Sequence, residues 1–131
     1  PPPLAGQPLL RLPPHSASMK FDFAPREFGF AGQVFIAQFG AGAPLTADPR
    51  AVRMIPGFRV VRANLASGQV RDFYVNLRPG AGGPWPERPI DAKFCPRDRC
   101  LYVVDFGVLE AIPGHFIPHA GTGALWRIRR A

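Results

Sequence analysis

Apolar and polar residues alternate along several short segments of this chain. Met19, Phe21 and Phe23 are separated by polar residues, which is the period of two expected of a half-buried β-strand. Turn-forming residues separate such segments, and no segment has the spacing of a long amphipathic helix. The first group of strands is predicted at 19–23, 34–38, 58–64 and 70–76.

The strand pattern repeats once along the chain. Residues 23–25 return at 94–96, residues 34–40 at 101–107, and residues 60–62 at 125–127. Successive four-stranded units are typical of β-propeller blades, and unequal loop lengths explain the drifting interval. The second unit has only three predicted strands, at 90–94, 101–105 and 124–128. We therefore predict an all-β fold, a β-propeller fragment of about two four-stranded antiparallel blades, the second lacking its outer strand.

The predicted organisation is one propeller domain in three parts. Residues 1–14 are rich in proline and leucine and are expected to form an extended entry segment. Residues 15–80 are predicted to form one blade, and residues 81–131 the final, incomplete blade. The apolar sheet faces are expected to pack against each other and against neighbouring blades that lie outside this sequence.

The connections between predicted strands differ in length at the two ends of the sheets. Those at 24–33, 65–69 and 95–100 are short, whereas those at 39–57, 77–89 and 106–123 are long. Long loops on one side of a rigid sheet stack commonly carry ligand contacts. The candidate functional face therefore bears Gly40, Arg88 and Phe106, joined by His15. Loops of variable length without a function are the alternative.

Composition and charge exclude several classes of protein. The formal net charge is +7, but the arginines are mostly scattered singly and no basic run is interleaved with stacking aromatic residues. A nucleic-acid partner is therefore not expected. No apolar run reaches the roughly 20 residues of a membrane span. The hydrophobic fraction of 47% argues against disorder despite 17 prolines and 14 glycines.

The two cysteines and the histidines are the remaining candidates for chemistry. Cys95 and Cys100 flank a predicted four-residue hairpin loop, a geometry that can bring two Cβ atoms within disulfide range. A disulfide favours an oxidising compartment, periplasmic or secreted, and two reduced buried thiols are the alternative. His115 and His119 are four residues apart, but neighbouring prolines exclude a helix, which leaves only a loop site. No metal site is predicted.

Three segments near the end of the chain follow one another in a recognisable order: Glu-Arg-Pro-Ile-Asp-Ala-Lys-Phe at 87–94, Leu-Tyr-Val-Val-Asp-Phe-Gly at 101–107 and Thr-Gly-Ala-Leu-Trp-Arg-Ile at 122–128. Together they resemble the last blade of the glucose/sorbosone dehydrogenases, which are six-bladed propellers that bind pyrroloquinoline quinone (PQQ). The blade before it is similar to the segments at 15–18, 33–37 and 57–62. The resemblance covers nearly all of residues 12–130.

The resemblance implies oxidation of a sugar or other alcohol by hydride transfer to PQQ, with Ca²⁺ polarising the quinone. Arg88 occupies the position of a family arginine that contacts the cofactor, and a guanidinium can pair bidentately with a PQQ carboxylate. A solvated loop residue or a cap on the neighbouring blade is the alternative for Arg88. His15 is expected to line the channel mouth or to have a structural role.

The chain departs from the family pattern at two positions. Ile90 replaces a second arginine, and Gly40 replaces a lysine. The family's catalytic histidine and most of its Ca²⁺ ligands lie in earlier blades, so no catalytic residue is predicted here and this chain alone is not expected to be active.

Two functional hypotheses follow from the sequence. The first is the C-terminal part of a PQQ-dependent sugar or alcohol dehydrogenase-like propeller, with the remaining blades and a small-molecule sugar as partners. The second is a non-catalytic propeller segment that binds a carbohydrate or a protein.

Overall fold

The structure is a computed structural model that describes Gly6 and residues 8–41, 56–112 and 114–129, and these residues form nine β-strands. A three-residue 3-10 turn at Arg26–Phe28 is the one helical element within the described ranges. The strands are β1 Ser18–Phe23, β2 Val34–Gln38, β3 Arg59–Asn64, β4 Gln69–Val75, β5 Pro89–Cys95, β6 Cys100–Asp105, β7 Leu109–Ile112, β8 His115–Pro118 and β9 Ala124–Arg129.

The strands form two antiparallel sheets and a small ribbon. The first sheet has the order β1-β2-β3-β4, the second has the order β5-β6-β9, and β7 pairs with β8. The prediction of an all-β chain with antiparallel sheets is confirmed, and the seven predicted strands are found within one or two residues of their expected bounds. The ribbon was not predicted. Neither sheet closes on itself among the described strands.

One face of the first sheet packs on one face of the second and forms the main core. The Phe28 side chain inserts between the sheets from the 3-10 turn, and its ring centroid lies 4.8 Å from that of Phe94. Phe35 lies 5.0 Å from the same Phe94 ring in an edge-to-face arrangement, which aromatic quadrupoles favour. The other buried members of this core are Ala24, Ala37, Val60, Ala92, Leu101 and Val103.

Polar contacts join the first strands of the two sheets. The Asp22 carboxylate accepts the backbone N–H of Phe94 at 3.0 Å, and the Lys93 ammonium donates to the Phe21 carbonyl at 3.2 Å. Lys20 and Asp91 form an ion pair at 3.6 Å. Both β1 and β5 therefore lie on the same side of the sheet stack.

The first sheet leaves part of its outer face uncovered. We call this face, opposite the main core, the first flank. Leu10 and Leu12 of the entry segment pack against its centre, formed by Val34, Ile36, Val61 and Ala63. Phe21 and Phe23 belong to the same face, because Phe21 pairs with Ile36 and Phe23 pairs with Val34. Their side chains are 52% and 50% exposed, and that of Met19, which lies where the β1–β2 register shifts, is 52% exposed. The alternation correctly predicted that β1 is a strand. The apolar face of that strand is nevertheless not buried by the described residues.

The second sheet also exposes apolar side chains on the face that points away from the main core. Val104 and Leu125 are directly opposite each other in the β6–β9 register, and both are exposed. We call this face the second flank. The two-sheet stack therefore has an apolar surface on each of its outer sides.

Candidate functional site

The three long connections meet at one arginine. Arg88 lies in the connection between β4 and β5, and its guanidinium donates to the Ala41 carbonyl at 3.1 Å and to the Phe39 carbonyl at 3.4 Å. Both acceptors belong to the connection that follows β2. A third N–H donates to the Leu109 carbonyl at 3.3 Å, in the connection that follows β6. The sequence predicted that the long connections share one end of the sheets, and Arg88 ties them together there.

Aromatic rings enclose the charged group of Arg88. Its guanidinium carbon lies 4.4 Å from the Phe58 ring centroid and 4.8 Å from that of Phe39, within cation–π range. Only 6% of Arg88 is exposed, and this burial lowers its pKa, while the charge of Glu87 acts in the opposite direction. Of the two alternatives to a cofactor contact, this environment fits an Arg88 side chain that caps the neighbouring sheet, and it does not fit a solvated loop residue. A contact between Arg88 and PQQ stays a prediction.

Asp105 fixes the backbone that carries Arg88. Its Oδ1 accepts the backbone N–H groups of Arg88 at 2.7 Å and Gly107 at 3.1 Å. Its Oδ2 accepts the N–H of Glu87 at 2.9 Å and the indole N–H of Trp126 at 3.2 Å. Four donors thus satisfy a buried carboxylate without a cation. Asp105 was not among the predicted site residues. The feature that marks it in the sequence is its place at the end of an apolar strand, immediately before Phe106 and Gly107.

Glu87 organises the connection that precedes Arg88. Its carboxylate is buried and accepts the side-chain amide of Asn76 at 3.0 Å and the N–H groups of Gly80 and Gly82 at 2.9 Å each. The glycine-rich run at 80–83 therefore binds a carboxylate of the protein itself. Glu87 was not among the predicted site residues, although it directly precedes Arg88 in the sequence.

Gly40 has a structural reason to be glycine. Its φ is +93°, and a Cβ at this position would lie 2.6 Å from the Phe58 ring and 2.9 Å from the Phe58 backbone nitrogen. Such distances leave no room for a side chain without movement of the backbone. The lysine found here in the dehydrogenase pattern therefore does not fit this chain. Ile90, the other departure, lies in β5 where the register shifts between Pro89 and Asp91.

Phe106 lies beside the Arg88 group, as the loop pattern predicted. Its ring contacts Phe39 edge-to-face at 5.4 Å, and its N–H donates to the Arg88 carbonyl at 3.0 Å. His15 is exposed in the turn before β1, with φ +61°. Among the described residues, no hydrogen bond or ion pair connects His15 with Arg88, and its expected position at a channel mouth stays a prediction.

The two cysteines are neighbours across a hairpin. Cys95 and Cys100 are directly opposite each other in the β5–β6 register, as the spacing predicted, and both are free thiols in this structure. The Cys100 thiol donates to the Asp98 carbonyl at 3.2 Å. The Asp98 side chain in turn accepts the hydroxyl of Tyr102. A disulfide between Cys95 and Cys100 stays a prediction.

Within 8–41, 56–112 and 114–129, no group of three or more His, Cys, Asp or Glu residues is arranged to hold a metal ion. His119 instead lies 3.3 Å from the Glu110 carboxylate, beside the exposed β7–β8 ribbon. No helix in the described part of the chain is long and apolar enough to cross a membrane.

A cavity lies on the first flank, on the side of the first sheet that faces away from the main core. It has a volume of about 500 Å³ and is bordered by Arg11, Arg59 and Arg71. Arg59 is largely neutralised there, because one guanidinium nitrogen bonds both oxygens of Asp72, at 3.0 and 3.2 Å. The cavity thus carries a modest positive charge.

No protein-family model, no curated protein and no solved structure matches this chain. The Arg88 group, the open flanks and the ordered sequence segments are the features of this chain that point to a function.

Proposed function

We propose that this chain forms the last two blades of a β-propeller of the glucose/sorbosone dehydrogenase type, and that the complete propeller oxidises a sugar by hydride transfer to PQQ. One observation carries the proposal. Three long connections from two stacked sheets converge on a buried cation, Arg88, at one end of the stack. A loop face of this kind, supported by rigid sheets, is where propellers bind their ligands.

The open flanks support the propeller architecture. Phe21 and Phe23, whose ring centroids lie 6.0 Å apart, form an exposed apolar surface on the first flank, and such surfaces mark packing against another protein element. Val104 and Leu125 give the second flank a smaller apolar surface. In the proposed propeller, the preceding blade covers the first flank and the first blade of the ring covers the second. The free edge of β9 then accepts the fourth strand of the last blade.

The chemistry of PQQ fits the loop face in part. PQQ carries three carboxylates, and Arg88 places a cation among the long connections. Described carbonyl groups use three of its five guanidinium N–H groups, so at most two remain for a carboxylate. In this proposal Arg88 mainly fixes the loops that border the quinone. The other blades supply the catalytic base and the Ca²⁺ ligands, and the enzyme works in the periplasm or outside the cell.

A titration with PQQ tests this proposal. The whole reading frame that contains this chain is expressed, and PQQ is added in the presence of Ca²⁺ while its absorbance is recorded. We expect a saturable spectral change, dye reduction with an aldose as substrate, and roughly tenfold weaker binding for Arg88→Lys, a loss of about 1.4 kcal/mol. Arg78→Lys, at an exposed arginine of the same connection, is the matched control. No spectral change at micromolar PQQ contradicts the oxidoreductase proposal.

The engagement of Arg88 favours a second candidate function. A guanidinium that already binds three carbonyls, together with a glycine that excludes the family lysine at position 40, also fits a propeller that has no quinone. Such a propeller would bind a carbohydrate or a protein partner on the same loop face. A glycan array with the same whole protein separates the two functions, because glycan binding without PQQ binding supports the second one.

The flanks allow a separate test of the architecture. With the 131-residue chain, the fluorescence of the hydrophobic dye ANS should be high and should fall when Phe21 and Phe23 are both replaced by serine. Leu9→Ser is the control, because Leu9 is 74% exposed and lies outside the flank surface. Equal fluorescence of all three proteins contradicts an open apolar flank.

A further inference from the structure

The outermost strand of the first sheet has an open edge. β4 pairs with β3 alone among the described strands. Just after β4, Asn76 donates its backbone N–H to the Phe58 carbonyl at 2.9 Å, towards the sheet. Since backbone groups alternate in direction along an antiparallel strand, those of Val75 and Leu77 point away from the sheet. The two flanks are the outer faces of the sheets, whereas this edge is the side of β4 that has no neighbouring strand in the described part of the chain. A further sheet that packs on either flank therefore leaves the β4 edge uncovered.

A groove follows this edge. Its volume is about 320 Å³, and its lining residues are Tyr74, Val75, Asn76, Leu77, Arg78 and Trp85. Leu77 is 86% exposed, which is unusual for a leucine next to an apolar cavity. The Trp85 indole also lines the groove. Gly83 lies directly against this ring, because a Cβ at position 83 would be only 2.4 Å from it. The groove therefore combines a strand edge with an aromatic wall.

The indole N–H of Trp85 is an independent observation at the same place. The Trp85 nitrogen is buried and has no hydrogen-bond partner among the described residues, and no other buried side-chain nitrogen or oxygen of those residues shares this state. A buried donor without a partner costs about 1–3 kcal/mol, and native structures contain few of them. The Trp85 N–H is thus a donor beside the groove that lacks an acceptor in the described part of the chain and is covered by neighbouring side chains.

The charge of the edge restricts what can bind. Arg71 and Arg78 are exposed near its two ends. The one acidic residue of β4, Asp72, is already paired with Arg59 at 3.0 Å. The edge is therefore cationic, and carboxylates complement it.

We propose that this groove binds an extended, acidic peptide segment of a partner protein, which adds to β4 as a further strand. Main-chain hydrogen bonds to Val75 and Leu77 would provide affinity, as in other cases of strand addition. An apolar peptide side chain packs on Leu77, and a carboxylate pairs with Arg78. A peptide carbonyl accepts the Trp85 N–H after a small movement of the side chains that cover it. The inference is independent of the quinone.

Nuclear magnetic resonance of the ¹⁵N-labelled 131-residue chain tests this proposal. The chain has two tryptophans, so two indole N–H signals are expected, and Trp85→Phe identifies the signal of interest. The probe is a blocked heptapeptide of alternating glutamate and valine. We expect a saturable downfield shift of the Trp85 signal, while the Trp126 signal stays in place. Leu77→Asp and Arg78→Glu should each weaken binding about tenfold.

Matched controls separate the parts of the proposal. Leu9→Asp adds the same charge at another exposed leucine and should leave binding unchanged. A peptide with proline as its central residue lacks a strand N–H, and a peptide with lysine for glutamate reverses the charge, so both should bind at least tenfold more weakly. Equal binding of either peptide, or no Trp85 shift at millimolar probe, overturns the proposal. So does dimerisation of the chain that Leu77→Asp abolishes, because the occupant is then a second copy.

Discussion

Replacing Arg88 with alanine removes the group that joins the three long connections. The hydrogen bond to the Ala41 carbonyl, at 3.1 Å, is lost, and a charge-assisted bond of this length is worth about 1.5–3 kcal/mol. The bonds to the Leu109 and Phe39 carbonyls, at 3.3 and 3.4 Å, are longer than a normal N–H to oxygen bond and add less. The contacts with Phe39 and Phe58 add about 0.5–1 kcal/mol each.

Part of this loss is recovered on substitution, because the buried guanidinium no longer has to be desolvated. The same desolvation lowers the pKa of Arg88 in the folded chain. We expect the free energy of unfolding to fall by about 3 kcal/mol, which lowers the melting temperature by roughly 10 °C in a domain of this size. Urea unfolding followed by circular dichroism measures the change, and an unchanged m value shows that the folded state stays compact.

Two variants make this test specific. Arg88→Lys keeps the charge but not the planar array of donors, so we expect about half the loss. Arg78→Ala removes an exposed arginine from the same connection and should change stability by less than about 0.5 kcal/mol. Hydrogen exchange at the Phe106 amide, which donates to the Arg88 carbonyl, should accelerate only in the Arg88 variants. Arg88→Ala with a stability within 0.5 kcal/mol of the parent refutes this account.

Three further predictions concern Tyr74, Asp105 and the two cysteines. Burial, with smaller contributions from two nearby carboxylates, raises the pKa of Tyr74 from 10.0 to about 12. The unfolded chain therefore loses this proton first, and the free energy of unfolding should fall between pH 10 and pH 12, by about 1 kcal/mol after discounting the partial exposure of the ring. Tyr74→Phe, which also loses the hydroxyl bond to the Pro86 carbonyl, should remove this dependence in alkaline urea unfolding. Asp105→Asn replaces an acceptor of four N–H groups with an amide, so we expect a loss of about 3 kcal/mol and altered Trp126 fluorescence, whereas exposed Glu27→Gln should change neither. A thiol titration of the denatured chain without reductant should find no free thiol if Cys95 and Cys100 form the predicted disulfide, and two free thiols contradict it.

The strand pattern was readable from the sequence because alternation and turns are local properties. In β1 and β6, side chains alternate between the two faces, and glycine or proline interrupts the pattern at the connections. The β7–β8 ribbon was missed because its apolar residues, such as Phe116 and Ile117, are exposed and show no alternation with buried positions. Its pairing depends on the turn around Gly114, where φ is +80°.

The sequence by itself determined seven of the nine described strands, their order, and the end of the sheets at which the long connections lie. It also identified Arg88 and Phe106 as neighbours on that face. Only the tertiary structure decided that the Arg88 charge binds three carbonyls, that Asp105 fixes the backbone beneath it, and that Gly40 cannot carry a side chain. The physical reason is that hydrogen bonds and steric contacts between distant segments depend on how the sheets stack, whereas alternation depends on neighbouring residues alone.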